Sequence, residues 1–520
     1  MEQRILQSLL SSSAYPDPVS SVHLVQTHVS FIFITDNLVY KIKKPVDLGF
    51  LNFTTLDRRR FYCNEEVRLN RRLCPDVYLG VVELRESPEG ARFFGDGAVI
   101  DYAVRMKRLP EGKMLDRLLR ENKVTADDIR RIARTIGAFH RDAERNAEID
   151  AYGSVEAIRR NWDENFGQVG KLDPLPCNAK TIKTVSDWVD TFLGGHADML
   201  ADRVARGFIR DCDGDIHSGN ICLTDRVLIF DCIEFDKRLR YSDTAADIAF
   251  LLMDFEFHDR RDFSSLLLEE YKSVTGDVGI DTVLAFYKTC RAVVRGKVAG
   301  LKAVDPAVPP VEQEDSRREA TRYFMLAAAY AVRDKLPVSL IITCGLTGTG
   351  KTNAAANLAS LLGADLFSSD VIRKRLARIP GGSRKLSGYD RGIYSASYNK
   401  ATYRTLLSEA ESSLRAGRTV IADATFRKRQ NRDRFRRLAK TLAVPFHIVQ
   451  TFCPEAIVKE RLERRIADPR TVSDGRWELF GTQKREFEPP DDSEGCLIRV
   501  DTSRSPAEVS ETILHAMVNP

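Results

Sequence analysis

Two stretches of this chain set donors, carboxylates and a lysine at spacings suited to phosphate chemistry. The first is Gly345-Leu-Thr347-Gly348-Thr349-Gly350-Lys351-Thr352. A glycine, four residues, then Gly-Lys-Thr is the pattern of a loop whose backbone N–H groups turn inward around phosphate oxygens. The apolar run Val338 to Cys344 precedes it, and the helix-forming run Asn353-Ala-Ala-Ala-Asn-Leu-Ala-Ser-Leu-Leu follows. Strand, turn and helix would put the positive end of a helix dipole on the same anion. Lys351 is expected to reach the β- and γ-phosphates, and Thr352 to bind Mg²⁺. Gly345, Thr347, Gly348, Thr349 and Gly350 complete the cradle for the triphosphate of ATP or GTP. A chance glycine-rich turn is the alternative.

The second stretch is Gly214-Asp215-Ile-His217-Ser-Gly-Asn220, with Asp231 eleven residues after Asn220 at the end of Leu228-Ile-Phe. It resembles the catalytic loop and metal-binding aspartate of the aminoglycoside phosphotransferase family, which has a protein-kinase-like fold. The resemblance implies that Asp215 is the base orienting an acceptor hydroxyl, and that Asn220 and Asp231 hold Mg²⁺. Phosphoryl transfer needs such a set because it is mostly positioning plus charge neutralisation. A hard cation needs oxygen ligands. Lys41 on a strand and Glu66 on a helix match the pair that holds α- and β-phosphates in such folds. Lys41 and Lys43 share one strand face by the two-residue period, so a solvated face is the alternative. Met106 ends the strand that runs into Lys107-Arg-Leu-Pro-Glu-Gly112, a hinge between lobes, and is assigned to the nucleotide site. Asp247 is read as a brace of the loop, and His140 as structural. Asp213 stands where the family carries His, and this second carboxylate beside Asp215 leaves an inactive kinase lobe as an alternative. The resemblance spans roughly residues 22 to 333.

Beyond the P-loop, each strand end carries reactive residues. Ser368-Ser369-Asp370-Val-Ile-Arg373 follows one, and Asp423-Ala-Thr425-Phe-Arg427 follows the next. Lys459-Glu-Arg461-Leu-Glu-Arg464-Arg465 then leads into Asp468-Pro-Arg470-Thr-Val-Ser473-Asp474. This order resembles the small P-loop kinases that include polynucleotide 5′-hydroxyl kinases, chloramphenicol phosphotransferase and zeta-type toxins. The resemblance implies Asp370 as general base, Arg373 as holder of the acceptor, and Asp423 as the group closing the metal and acceptor site. Arg461 and Arg465 (or Arg464) would cover the phosphates and neutralise charge in the transition state. A helix N-cap is the other reading of Asp370. A solvated helix face is the other reading of the arginines.

From Arg373 to Lys440 there are 19 Lys or Arg against 5 Asp or Glu, with Tyr389, Tyr394, Tyr398 and Tyr403 interleaved. Phosphate contacts and base stacking on nucleic acid would use that mix. An ordinary basic insertion with its tyrosines turned inward is equally consistent.

The elements that must position these groups divide the 520 residues into two parts. Residues 1–107 read as a small β-rich lobe and 108–335 as a helical lobe, together an α+β protein-kinase-like bilobal domain. Asp305-Pro-Ala-Val-Pro-Pro310 is a linker signal, and the helix from Glu312 to Lys335 either packs the halves together or is a solvated spacer. Residues 336–520 alternate strands with helices, which implies an α/β P-loop domain built on a doubly wound parallel sheet. Apolar content of 43%, charged content of 29% and a net charge of only +5 suit a globular protein rather than a general nucleic-acid binder. No apolar run approaches a membrane span. Ten scattered cysteines without a Cys-x-x-Cys pattern suit reduced thiols in the cytoplasm. The pairing of modules resembles a bacterial group described as bifunctional aminoglycoside phosphotransferase/ATP-binding proteins. It implies transfer of γ-phosphate to an unidentified hydroxyl acceptor, which for the C-terminal half includes a nucleotide or polynucleotide 5′-hydroxyl. A P-loop ATPase switch with a regulatory N-terminal domain is the rival.

Overall fold

Period-two burial organises the N-terminal sheet. In the computed structural model, which describes residues 2–49, 51–379, 392–467 and 477–518, Tyr40 and Ile42 face one apolar cluster with Phe31, Phe33 and Ala103. Val39 packs on the opposite cluster, with Cys63 and Val67 of the helix Leu56–Asn70. Lys41 and Lys43 share the Val39 face by the same alternation. Six strands form this sheet: β1 (His23–Gln26), β2 (Ser30–Ile34), β3 (Leu38–Lys43), β4 (Tyr78–Ser87), β5 (Gly90–Arg92) and β6 (Val99–Lys107). They run in the order β1-β2-β3-β6-β4-β5 with antiparallel neighbours.

Helices then dominate. Ala126–Asp142 opens on a capping box in which Thr125 and Asp128 satisfy each other's backbone N–H groups. Thr244–Phe257 is buried along its whole length. Two short antiparallel pairs interrupt the helices: β7 (Ile209–Asp211) with β10 (Tyr241–Asp243), and β8 (Ile221–Leu223) with β9 (Val227–Ile229). The segment between β7 and β8 carries Asp215 and Asn220, and Asp231 follows β9.

The C-terminal sheet holds β11 (Leu340–Cys344), β12 (Asp365–Ser368), β13 (Val420–Asp423), β14 (Phe446–Phe452) and β15 (Cys496–Asp501). All neighbours are parallel, in the order β12-β13-β11-β14-β15. Every residue of the central β11 is buried, as expected of a strand covered on both faces. One face packs on helices Lys351–Leu362 and Pro506–Val518. The other packs on Ala396–Arg415 and Arg429–Thr441. The doubly wound parallel sheet expected from strand–helix alternation is therefore present.

The compact units are residues 1–165 with 191–291, and residues 166–190 with 292–520. The helix Pro310–Lys335 is not a solvated spacer. Its Met325, Ala329 and Val332 enter the core under Ile341 of β11. Trp188 Nε1 also donates to Asp334 Oδ2 at 2.9 Å. Among the described residues, no helix is long and apolar enough to cross a membrane.

Candidate functional site

The P-loop leaves the carboxyl end of β11 at a point where only glycine passes. Gly345 has φ +147°, and a Cβ there would lie 2.6 Å from the Thr451 carbonyl oxygen. The loop is pinned from behind: Thr349 Oγ1 and Thr451 Oγ1 are 2.8 Å apart, and Thr502 Oγ1 donates to the Thr349 carbonyl at 2.9 Å. The helix Lys351–Leu362 starts at Gly350 without a side-chain cap, which leaves its first N–H groups for an anion. Lys351 Nζ donates to the Leu346 carbonyl at 2.6 Å.

Asp423 ends β13, the neighbour of β11. Thr352 Oγ1 donates to its Oδ2 at 2.9 Å, and Thr343 Oγ1 to its Oδ1 at 2.9 Å. Burial pushes the Asp423 carboxyl up, against the pull of the Lys351 ammonium and both hydroxyls, while Asp370 adds to the upward push. A hydroxyl and a carboxylate side by side are the oxygen donors Mg²⁺ prefers.

Asp370 is not a helix N-cap. The capping position of the helix Ser369–Leu376 is Ser368, and Asp370 Oδ1 accepts from Arg373 Nη1 at 2.6 Å. Arg373 is itself buried, donates to Asn399 Oδ1 at 3.2 Å and lies over the Tyr394 ring. The expected base and acceptor-holding arginine thus arrive as one ion pair. Arg461 is not a solvated cation either, since its Nη1 donates to Thr502 Oγ1 at 3.0 Å, beside Gly350. Arg464 is exposed, 3.8 Å from Glu460, as the solvated reading expects. The side chain of Arg465 and the segment Asp468 to Asp474 lie outside the described residues.

Among the described residues, several cations of the basic block are ion-paired. Arg375 pairs with Glu409, Arg415 with Glu411, Arg418 with Asp365, and buried Arg432 with Glu494. Tyr403 is buried, its hydroxyl accepting the Phe426 N–H at 3.2 Å, so it offers no face to a base. Tyr389 falls outside the described residues.

In the N-terminal unit, Lys41 Nζ lies 2.9 Å from Glu66 Oε1 and 2.6 Å from Asp231 Oδ1. Lys43 Nζ reaches Glu66 Oε2 at 2.6 Å and also pairs with Glu234. Burial alone would raise the Glu66 carboxyl, but the two ammonium groups hold it well below the usual range. Burial opposes the Lys41 charge, and Asp231 and Glu66 more than answer it, so its pKa rises. Asp231 has φ +65°, a left-handed conformation that Asp tolerates better than most residues. Its N–H donates to the Tyr78 hydroxyl at 3.2 Å. Met106 is sunk in the apolar cluster with Val104, Cys222 and Leu228.

The loop itself is braced from below. Asn220 Nδ2 donates to Asp215 Oδ2 at 3.1 Å. The N–H groups of Asp213 and Gly214 donate to Asp247 Oδ2 and Oδ1 at 3.0 and 2.8 Å. His140 Nε2 lies 3.0 Å from Asp247 Oδ2 and its Nδ1 2.8 Å from the Tyr271 hydroxyl. Both ring nitrogens are thereby engaged, although His140, Cys212 and Asp247 present atoms within 4.8 Å of one another that could hold a metal ion. Arg72, which the sequence reading passed over, donates to the carbonyls of Asp211 and Cys212 at 2.8 and 2.9 Å.

Asp213, two residues before Asp215, is shut away from solvent. Its Oδ1 accepts the Asp215 N–H at 3.2 Å, and burial, then the neighbouring Asp247, push its carboxyl well above the usual range. The native state therefore keeps this proton at a pH where the unfolded chain has lost it. That contribution is complete below the unfolded carboxyl range near pH 4 and is lost as pH rises through the folded value. Asp213→Asn keeps the acceptor and removes the titration. Its melting temperature should fall less than that of the parent between pH 5 and 9, with a gap of roughly 2–4 °C at the alkaline end. Parallel melting curves across that range would refute a buried, protonated Asp213.

Lys43, Glu234, Thr343, Thr502 and Gln483 are site residues that the sequence reading left unassigned. Only Lys43 had a usable signal, its two-residue offset from Lys41. Glu234 and Thr343 stand beside motif residues, but their partners Lys43 and Asp423 are far away in sequence, as are those of Thr502 and Gln483.

Fold and geometry together define a P-loop domain of the nucleotide-binding, kinase-like kind, and residues 340–490 match the model of the AAA domain family. The chain belongs to the family of the uncharacterized protein Rv2004c of Mycobacterium tuberculosis, to which it is 31% identical over 415 residues, 80% of each chain. The uncharacterized protein Mb2027c of Mycobacterium bovis matches to the same extent. Among solved structures, a sugar kinase from Janibacter is 19% identical, covering 35% of this chain and 95% of its own, with a TM-score of 0.27. A gluconokinase from Sinorhizobium meliloti is 20% identical over 35% and 93%, with a TM-score of 0.26.

Proposed function

We propose that this chain is a nucleoside-triphosphate-dependent phosphotransferase with two kinase-type modules, each passing a γ-phosphoryl group to a hydroxyl. The observation that carries the C-terminal half is the contact of Thr352 with Asp423 at 2.9 Å at the mouth of the P-loop. In this reading the loop N–H groups and Lys351 hold the triphosphate of ATP or GTP. Thr352 and Asp423 would hold Mg²⁺, which supplies Lewis-acid charge neutralisation on the phosphates. Asp370 takes the acceptor's proton, and Arg373 orients the acceptor. Arg461 adds positive charge beside Gly350.

For the N-terminal unit, residues 1–335 in the sequence division, the reading is a protein-kinase-like, aminoglycoside-phosphotransferase-like domain. Lys41 bridging Glu66 and Asp231 supports it, because this joins the strand lysine, the helix glutamate and the metal-ligand aspartate in one cluster. Asp215 is the base, and Asn220 and Asp231 the metal ligands. The ten free thiols suit a reducing cytoplasm.

The test is a screen of hydroxyl acceptors with γ-labelled ATP and GTP, run on the parent, Lys351→Ala and Asp215→Ala. Each variant should lose its own subset of labelled products, with Asp215→Ala lowering N-terminal transfer about 10²-fold or more. Label released only as inorganic phosphate, whatever the acceptor, would favour the ATPase-switch reading. Unchanged products in Asp215→Ala would reject an active N-terminal module.

A further inference from the structure

One N–H of the P-loop is already occupied by a side chain. The Thr347 N–H donates to Gln483 Oε1 at 3.2 Å. Gln483 sits on the helix Trp477–Arg485, and that helix is seated against the loop. Phe480 is buried with Val458 and Leu462, and Leu346 and Trp477 pack on the same cluster. Trp477 also stacks on Phe480 with centroids 5.1 Å apart. The packing is tight, since a Cβ on Gly348 would come within 2.8 Å of Val458 Cγ1.

An amide oxygen and a phosphate oxygen are both acceptors, and a single N–H serves one of them well. We infer that Gln483 competes with nucleotide phosphate for the Thr347 N–H, so that phosphate binding releases Gln483 and is read out on the helix that carries Trp477. The inference rests on the P-loop binding a triphosphate, and it adds a positioning residue that reports its occupancy. A phosphate oxygen carries charge and the amide does not, so phosphate wins at saturation. The amide still costs the ligand part of its affinity.

The experiment titrates the full chain with MgATP, tripolyphosphate and adenosine, following Trp477 fluorescence with Trp477→Phe as the blank. Direct binding of labelled ATP supplies affinities that do not depend on fluorescence. Removing the competitor in Gln483→Ala and Gln483→Met should tighten ATP and tripolyphosphate roughly 2–10-fold, the scale of one net hydrogen bond. Adenosine, which lacks phosphate, should be unaffected. Gln483→Glu should weaken both phosphate ligands at least about 10-fold, because a carboxylate then faces them. The parent should show a Trp477 response to tripolyphosphate that Gln483→Ala loses. Unchanged or weaker ATP binding in both Gln483→Ala and Gln483→Met overturns the inference. Absence of ATP binding in the parent would instead overturn the P-loop reading on which it rests.

Discussion

Lys351→Ala lowers C-terminal phosphoryl transfer by about 10³-fold or more in kcat/KM, roughly 4 kcal/mol of transition-state stabilisation. The lysine stands at the first position of the helix behind the loop and is 9% exposed. Its ammonium is turned onto the Leu346 carbonyl at 2.6 Å. That carbonyl is a neutral acceptor, and a triphosphate carrying several charges is a stronger one. The same ammonium also lowers the Asp423 carboxyl from the height to which burial would take it. Its loss should therefore weaken both the grip on phosphate and the ionisation of the carboxylate proposed to hold the metal. Turnover of the acceptor found in the labelling screen and melting temperature should be measured together. A Lys351→Met variant that keeps the stem separates lost charge from lost packing. Transfer within tenfold of the parent in both variants would mean that the loop does not hold the reacting phosphate.

Asp370→Asn lowers kcat by about 10²–10⁴-fold, the range for a general base, and leaves the KM for nucleotide close to that of the parent. Asn still presents an oxygen to Arg373, so the 2.6 Å contact retains an acceptor. What it loses is the ability to take a proton from the attacking hydroxyl. The split between kcat and KM separates the two roles open to this carboxylate. If Asp370 only steadies Arg373, Asn should be nearly neutral while Asp370→Ala raises the acceptor KM. A parent-like kcat in Asp370→Asn would remove the base from the mechanism.

Much of this was written in contiguous residues. The P-loop reads directly because its turn, its glycines and the helix that follows are all local, and local steric rules decide them. The parallel sheet is legible for the same reason, since its strands are short apolar runs separated by helical periodicity. The Lys41–Glu66 pairing came from the family resemblance, since the strand face alone is equally well read as solvated, and the fold supplies the contact. The loop brace at Asp247 came from a family resemblance, and the structure adds its mechanism, two backbone N–H groups on one carboxylate.

Tertiary structure alone decided which charges meet. Thr352 and Asp423 are 71 residues apart in the chain, and the parallel register of β11 and β13 brings them together. Whether Arg461 is solvated depends on Thr502 of a later segment, and whether Tyr403 can stack depends on Phe426. The helix Pro310–Lys335 could be read as packing the halves or as a spacer, because its sequence pattern does not show which sheet will cover its apolar face. Asp213 is acidic by composition, yet burial, then the neighbouring Asp247, push its carboxyl well above the usual range. Spacing along the chain sets backbone geometry, whereas solvation and charge pairing depend on neighbours far away in sequence, and those exist only once the core has closed.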